Sequence, residues 1–315
     1  MNTYFDEQRI ETEYFRCISE LNQARIISYL PNSSASGIIG IDENEYPVPT
    51  MEQVQKLFTV NQELVNKKAK QGFDTLQLTP VAISTLHLID LLKDAILKHQ
   101  KSGQIFQTSH DLINALKPIR VNKEKQVWIW ETLKQAIETG ELVYFPQAYS
   151  SINHGGLTKS ETIINSNICA VPGWSLAIIE NLSNKPILDE SKIIGGRKQL
   201  ETEQSPFEYL QNLKSEDYQG ETGLILEDFL TKFLIRLETT NEVSNEVEDN
   251  NALWLLGHYL KISYADVVPT GRWIRSVGRL RLDMHRTKNK KCTESWGAST
   301  AVRLVNNDHG MNSVG

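Results

Sequence analysis

Residues 271–305 read GRWIRSVGRLRLDMHRTKNKKCTESWGASTAVRLV, and the middle of this stretch sets the fold of the region. Between 280 and 285 the apolar Leu280, Leu282 and Met284 alternate with Arg281, Asp283 and His285. A period of two is that of a strand, so the spacing predicts one face in the core and one turned to water. Residues 286–295 hold no large hydrophobe and are expected to cross the surface as a loop. Trp296, Ala301, Val302, Leu304 and Val305 then restore β character and predict a closing strand, with Trp273 anchoring the other end. The expected result is a firm frame carrying a face and a loop that have no packing role.

Working outward, the charge of this segment stands against that of the chain. Residues 271–305 carry nine Lys or Arg against one Asp and one Glu, whereas the 315-residue chain has a formal charge of -6. Without the segment, 24 basic residues face 37 acidic ones, a balance of -13. Such asymmetry predicts a local surface task and disfavours a nucleic-acid-binding protein as a whole. With 40% hydrophobic and 23% charged residues, the chain has an ordinary globular composition. Its length exceeds the usual single-domain size of roughly 100–200 residues, so two domains are expected. The cluster of Pro, Ser, Asn and Gly in FPQAYSSINHGGLTKS (145–160) places the boundary, giving a helical module over 1–150 and a second domain over 151–315. No apolar run approaches the ~20 residues of a membrane span, and MNTYFDEQRIETEYF has neither the basic nor the apolar region of a signal peptide. A cytoplasmic location is the default expectation.

The first half reads as helices. Tyr14, Phe15, Ile18, Leu21 and Ile26 form one stripe, and Met51, Val54, Leu57, Phe58, Leu64 and Val65 another. Thr79-Pro80 looks like a helix start, with Gly103 as its C-terminal glycine. Leu112, Ile113 and Leu116 suggest a further helix broken by Pro118, and Trp130, Leu133 and Ile137 one that ends at Gly140. In the second half NICAVPGWSLAIIEN predicts a buried strand bent at Pro172-Gly173, and Gly195-Gly196 a turn. Ser205, Pro206 and Glu208 spell a capping box, Leu226 to Leu237 repeat at three and four as a helix, and ALWLLGHYL predicts a strand. Helices among strands in this order read as α+β.

Trp273, the Arg279-Leu280 alternation, a polar loop, Trp296-Gly297-Ala298 and a final Ala301-Val302-Arg303 resemble the end of variable proteins from diversity-generating retroelements. The resemblance covers about 163–305 and implies a C-type lectin-like domain, of the kind shared with formylglycine-generating enzymes. VPGWSLAIIEN, IIGGRKQLE and the 222–241 helix fall where that fold expects its first strand and two helices. It further implies that adenines in the terminal coding region are randomised during reverse transcription. Trp273, Met284 and Trp296 would then be fixed frame. Reachable products, and hence candidate ligand-binding residues, are Arg272, Ile274, Arg275 and Ser276 before the central strand and Arg281, Asp283 and His285 within it. Arg286, Thr287, Asn289, Cys292, Thr293 and Ser295 follow in the loop. Lys288, Lys290, Lys291 and Glu294 are not reachable by that route, and Ser299 stands where the family's closing strand usually has Arg.

The implied function is non-catalytic binding of a protein or cell-surface ligand, without cofactor or metal. Two other classes remain at this level. An oxidase of the formylglycine-generating type needs paired cysteines, and Cys292 stands alone in the region. A polyanion-binding module would use the basic residues with Trp273 as a stacking platform, against the interleaved Asp283 and Glu294. Cys17, Cys169 and Cys292 are too scattered for a disulfide framework, and Cys292 with Asp283, His285 and His309 follows no zinc spacing. Ser109, His110 and Asp111 are adjacent and point apart, so no catalytic triad is read there.

Overall fold

A computed structural model describes residues 4–107, 118–180, 193–243, 251–288 and 296–306. Asp6 caps α1 (Glu7–Gln23) by accepting the Arg9 N–H, and Ile10, Cys17 and Leu21 bury one face of the helix. A small antiparallel sheet of β1 (Ser28–Tyr29), β2 (Ser36–Ile39) and β3 (Glu45–Pro47) follows. A Thr50/Gln53 capping box opens α2 (Met51–Val60), which passes through Asn61 into α3 (Gln62–Lys70).

The chain then enters β4 (Phe73–Pro80), where the expectation of a helix start is corrected. Thr79-Pro80 ends a strand: the Thr79 hydroxyl donates to buried Asp228 at 2.7 Å instead of capping a helix. Proline is tolerated because β4 is the edge of its sheet. The helix α4 (Thr85–Lys101) begins after Ser84. Next come β5 (Phe106–Gln107), β6 (Val127–Ile129) and α5 (Glu131–Thr139), which Gly140 closes at φ 75°. The helix suggested by Leu112, Ile113 and Leu116 lies outside the described residues. β7 (Val143–Tyr144) and the capping-box helix α6 (Lys159–Ile164) complete the first part.

All seven residues of β8 (Trp174–Glu180) are buried, as its apolar run predicts. Residues 193–201, placed at a helix by the resemblance, instead open as a hairpin of β9 (Ile193–Ile194) and β10 (Arg197–Lys198). Gly195 and Gly196 turn it at φ 56° and 82°, values that two-residue hairpin turns require and side chains resist. The Ser205/Glu208 capping box opens α7 (Pro206–Asn212), and β11 (Glu221–Gly223) precedes α8 (Leu226–Thr240). After β12 (Glu242–Val243), ALWLLGHYL makes two strands, β13 (Ala252–Trp254) and β14 (His258–Ile262). A turn closed by the His258 N–H on the Leu255 carbonyl separates them. The chain closes with β15 (Ala265–Ile274), β16 (Arg279–Arg286), β17 (Trp296–Ala298) and β18 (Thr300–Arg303).

One antiparallel sheet has the order β11-β18-β8-β4. Its β4 edge is closed by α1: Glu13 accepts the Leu76 N–H at 2.9 Å, and Arg16 and Arg9 donate to the carbonyls of Leu76 and Asp74. The larger sheet is built on β15. β16 runs antiparallel along one edge of it, from Val267 opposite Arg286 to Ile274 opposite Arg279, and β6 joins β16 in parallel. β13 and β14 share the other edge and carry β17 and β7. Strands from both sides of residue 150 thus pair with each other: β4 with β8, β6 with β16, β7 with β14.

Helix α8 covers the inner face of this sheet. Phe229 lies so close over Gly271 that a Cβ there would come within 2.4 Å of its ring, and Phe233 stacks on Trp273 with centroids 6.4 Å apart. Leu280, Leu282 and Met284 are buried, so the alternation of β16 sets its inner face as expected. With 35% of the described residues in helix and 28% in strand, the fold is mixed α and β, consistent with α+β. Among the described residues, no helix is long and apolar enough to cross a membrane.

Candidate functional site

The outer face of β15 and β16 gathers side chains by register. Arg272 lies opposite Arg281, Thr270 opposite Asp283 and Val268 opposite His285. An Arg281 guanidinium nitrogen is 2.6 Å from Asp283 Oδ2, and His285 Nε2 is 3.7 Å from the same oxygen. Asp283 Oδ1 accepts the Met284 N–H at 3.0 Å, so the carboxylate is engaged through both oxygens. Aromatic rings wall the row. Arg281 lies 4.5 Å over Trp128 and Arg272 5.2 Å over Trp296, within cation–π range, while His285 meets Trp254 and Trp296 edge-on at 5.9 and 4.8 Å.

The structure brings together Arg272, Arg281, Asp283 and His285 with the frame residue Trp296, and separates the other candidates. Arg275 and Ser276 are exposed in the turn after β15, with half-buried Ile274 just before them. Arg286 is exposed at the opposite end of β16. At ~3.3 Å per residue, the length of β16 puts these ends roughly 20 Å apart, too far to share one small ligand. Asn289, Cys292, Thr293 and Ser295 lie outside the described residues, as does most of the expected loop. Trp273 is fully buried and Trp296 nearly so.

Two expectations of water-facing side chains are corrected. Asp283 is only 6% exposed, because Arg281 and His285 close over it from the neighbouring outward positions. Thr287 is 4% exposed because it docks on the fold: its N–H donates to the Asp266 carbonyl, and its own carbonyl accepts the Phe207 N–H at the start of α7. A second apolar cluster, including Tyr209, Leu210, Trp254, Val268 and Trp296, covers this end of the outer face. Sequence reading missed Trp128, Trp254 and Thr270. The alternation in VWIWE was a signal for the first, since Trp128 and Trp130 share a strand-like spacing that the helix reading absorbed.

Burial and neighbouring charge weigh against the charged form at both Arg272 and His285. Burial lowers the Arg272 pKa and the neighbouring Arg281 lowers it further, while Asp283 opposes. It remains a cation, since an arginine side chain does not deprotonate in a protein. Burial also lowers the pKa of His285; the Asp283 charge opposes this and the two arginines reinforce it. Among the described residues, several buried polar atoms on the outer face find no hydrogen-bond partner: Thr270 Oγ1, Arg272 Nε, Arg281 Nε, His285 Nε2 and Trp254 Nε1. Buried polar groups are normally satisfied, so such a concentration marks a place where a ligand's atoms would be stabilising.

Three other buried charged groups are occupied by the fold. Glu227 Oε1 accepts from Thr85 Oγ1, Tyr144 OH and Lys159 Nζ at 2.5, 2.9 and 2.8 Å. Burial would raise its pKa, and the Lys159 charge instead holds it well below the ordinary range. His258 Nε2 accepts the Leu226 N–H at 2.9 Å, which leaves Nδ1 to donate to the Val143 carbonyl. Glu221 binds Lys68, Arg197 and Thr300, and Arg197 reaches on to Glu180. Arg303 spans Asp228 and Ser175. Cys17 and Cys169 are free thiols that burial pushes up to about 12, where they are poor nucleophiles at neutral pH. No family model matches the chain, and neither a curated protein nor a solved structure similar to it was found.

Proposed function

We propose that this chain is a non-catalytic ligand-binding protein. In this reading, residues 151–315 form a C-type lectin-like domain similar to the variable proteins of diversity-generating retroelements, and the outer face of β15 and β16 is its recognition surface. One observation carries the reading: on β16 the two faces differ in kind. Leu280, Leu282 and Met284 are packed against the core, while Arg281 and His285 are half-exposed and keep polar atoms without partners among the described residues. Exchange of the outward residues would leave the inner packing intact, and a face ordered by folding binds with little further loss of entropy.

Sequencing the 3′ end of the gene and its flanking DNA across a population of the source tests this. The expected result is variation concentrated at codons for Arg272, Arg275, Arg281 and His285, with Trp273, Met284 and Trp296 constant. A near-copy of the segment, differing mainly at adenines, would lie beside a reverse transcriptase gene. Invariant terminal codons and no second copy would refute it.

A further inference from the structure

Resting on the binding reading above, we propose that the ligand presents a carboxylate, an Asp or Glu side chain of a protein partner, seated between the guanidiniums of Arg272 and Arg281. Register places these two cations directly opposite each other, a like-charge pairing that disfavours the sheet unless something neutralises it. Asp283 does so only in part. Its Oδ2 is taken by Arg281 and its Oδ1 by the Met284 N–H, and no ion pair involves Arg272 among the described residues. The Arg272 guanidinium meets the Trp296 ring, and its Nε is buried without a partner among the described residues. Each guanidinium carbon lies over an indole ring, Arg272 at 5.2 Å from Trp296 and Arg281 at 4.5 Å from Trp128, and guanidinium N–H groups grip a carboxylate in two-point fashion.

Charge arithmetic favours one carboxylate over a chain of phosphates. Arg272 and Arg281 with Asp283 leave a single positive charge when His285 is neutral. The chain outside 271–305 carries a balance of -13, which would repel a nucleic-acid backbone running beyond the face. A protein side chain delivers one negative charge with an apolar stem to lie against Trp128 or Trp296.

Fluorescence polarisation on the full chain tests the proposal with short labelled peptides rich in Glu, in Lys or in neutral residues, and with a single-stranded RNA of matching length. The Glu-rich peptide is expected to bind, and Arg272→Gln to weaken it by about tenfold or more, as loss of a charge-assisted pair does. Arg286→Gln, at the exposed strand end, is expected to leave affinity unchanged. Arg272 is the decisive position because, among the described residues, it holds no ion pair whose loss would unfold the protein, and a circular dichroism melt confirms the fold of each variant. Equal binding of the Glu-rich peptide by wild type and Arg272→Gln, or binding of the Lys-rich peptide, the neutral peptide or the RNA in its place, overturns the carboxylate assignment. Such a failure leaves the display reading standing, because gene sequences decide that reading separately.

Discussion

At the scale of single residues, Glu227 is a tightly constrained charge. It is fully buried, and its stabilising partner is the Lys159 ammonium. Removing one member of a buried ion pair strands the other, so Glu227→Gln is expected to cost about 3 kcal/mol at neutral pH, read by urea unfolding. The pH dependence has a definite sign. The folded pKa of Glu227 is depressed relative to the ordinary 4.5, so its contribution is complete above that value and is lost as pH falls toward the folded pKa. Melting temperature should therefore drop below about pH 4.5, and the drop should be shallower in Glu227→Gln. A variant whose acid limb matches wild type would show that another carboxylate governs acid unfolding. Glu227 was invisible as a charge centre in the sequence, where it is one acidic residue at the start of an amphipathic helix. Its partners Thr85, Tyr144 and Lys159 lie 68 to 142 positions away.

Among the elements, those set by local chemistry were legible. The capping box before α7, the apolar repeat of α8, the glycine stop of α5 and the buried run of β8 each carry their cause within a few residues. One element that was misread, β4, takes its identity from a strand about a hundred residues later, and its Thr79-Pro80 ending imitates a helix start. For the same reason β16 could be placed and its inner face assigned, while β6, which brings Trp128 to the face from the first half, could not. The free edge of β4 depends on α1. Glu13→Ala removes the acceptor of the Leu76 N–H and a partner of Arg16, and should cost about 1 kcal/mol in chemical denaturation. No change in the denaturation midpoint would mean that solvent replaces this clasp without loss.

Over the whole molecule, pairing across residue 150 is the dominant feature. β4 lies along the whole of β8, β6 along the first half of β16 and β7 along the start of β14. Expression of residues 151–315 alone would uncover the ladder edges of β8 and β16 together with apolar surface, and exposed edges promote association between chains. The expected outcome is an aggregated or poorly ordered product, with a soluble complex recovered when residues 1–150 are co-expressed. A monomeric, cooperatively melting 151–315 fragment would show that these strands are dispensable.

The position of β16 inside its sheet also fixes how any partner must make contact. With β15 bonded along its full length and β6 pinning its first half, the peptide groups of residues 280–282 are already spoken for on both flanks. A visitor cannot add itself as another strand there. It has to be recognised by the tips of side chains alone, so two proteins differing only in those tips would share one architecture and answer to unrelated targets.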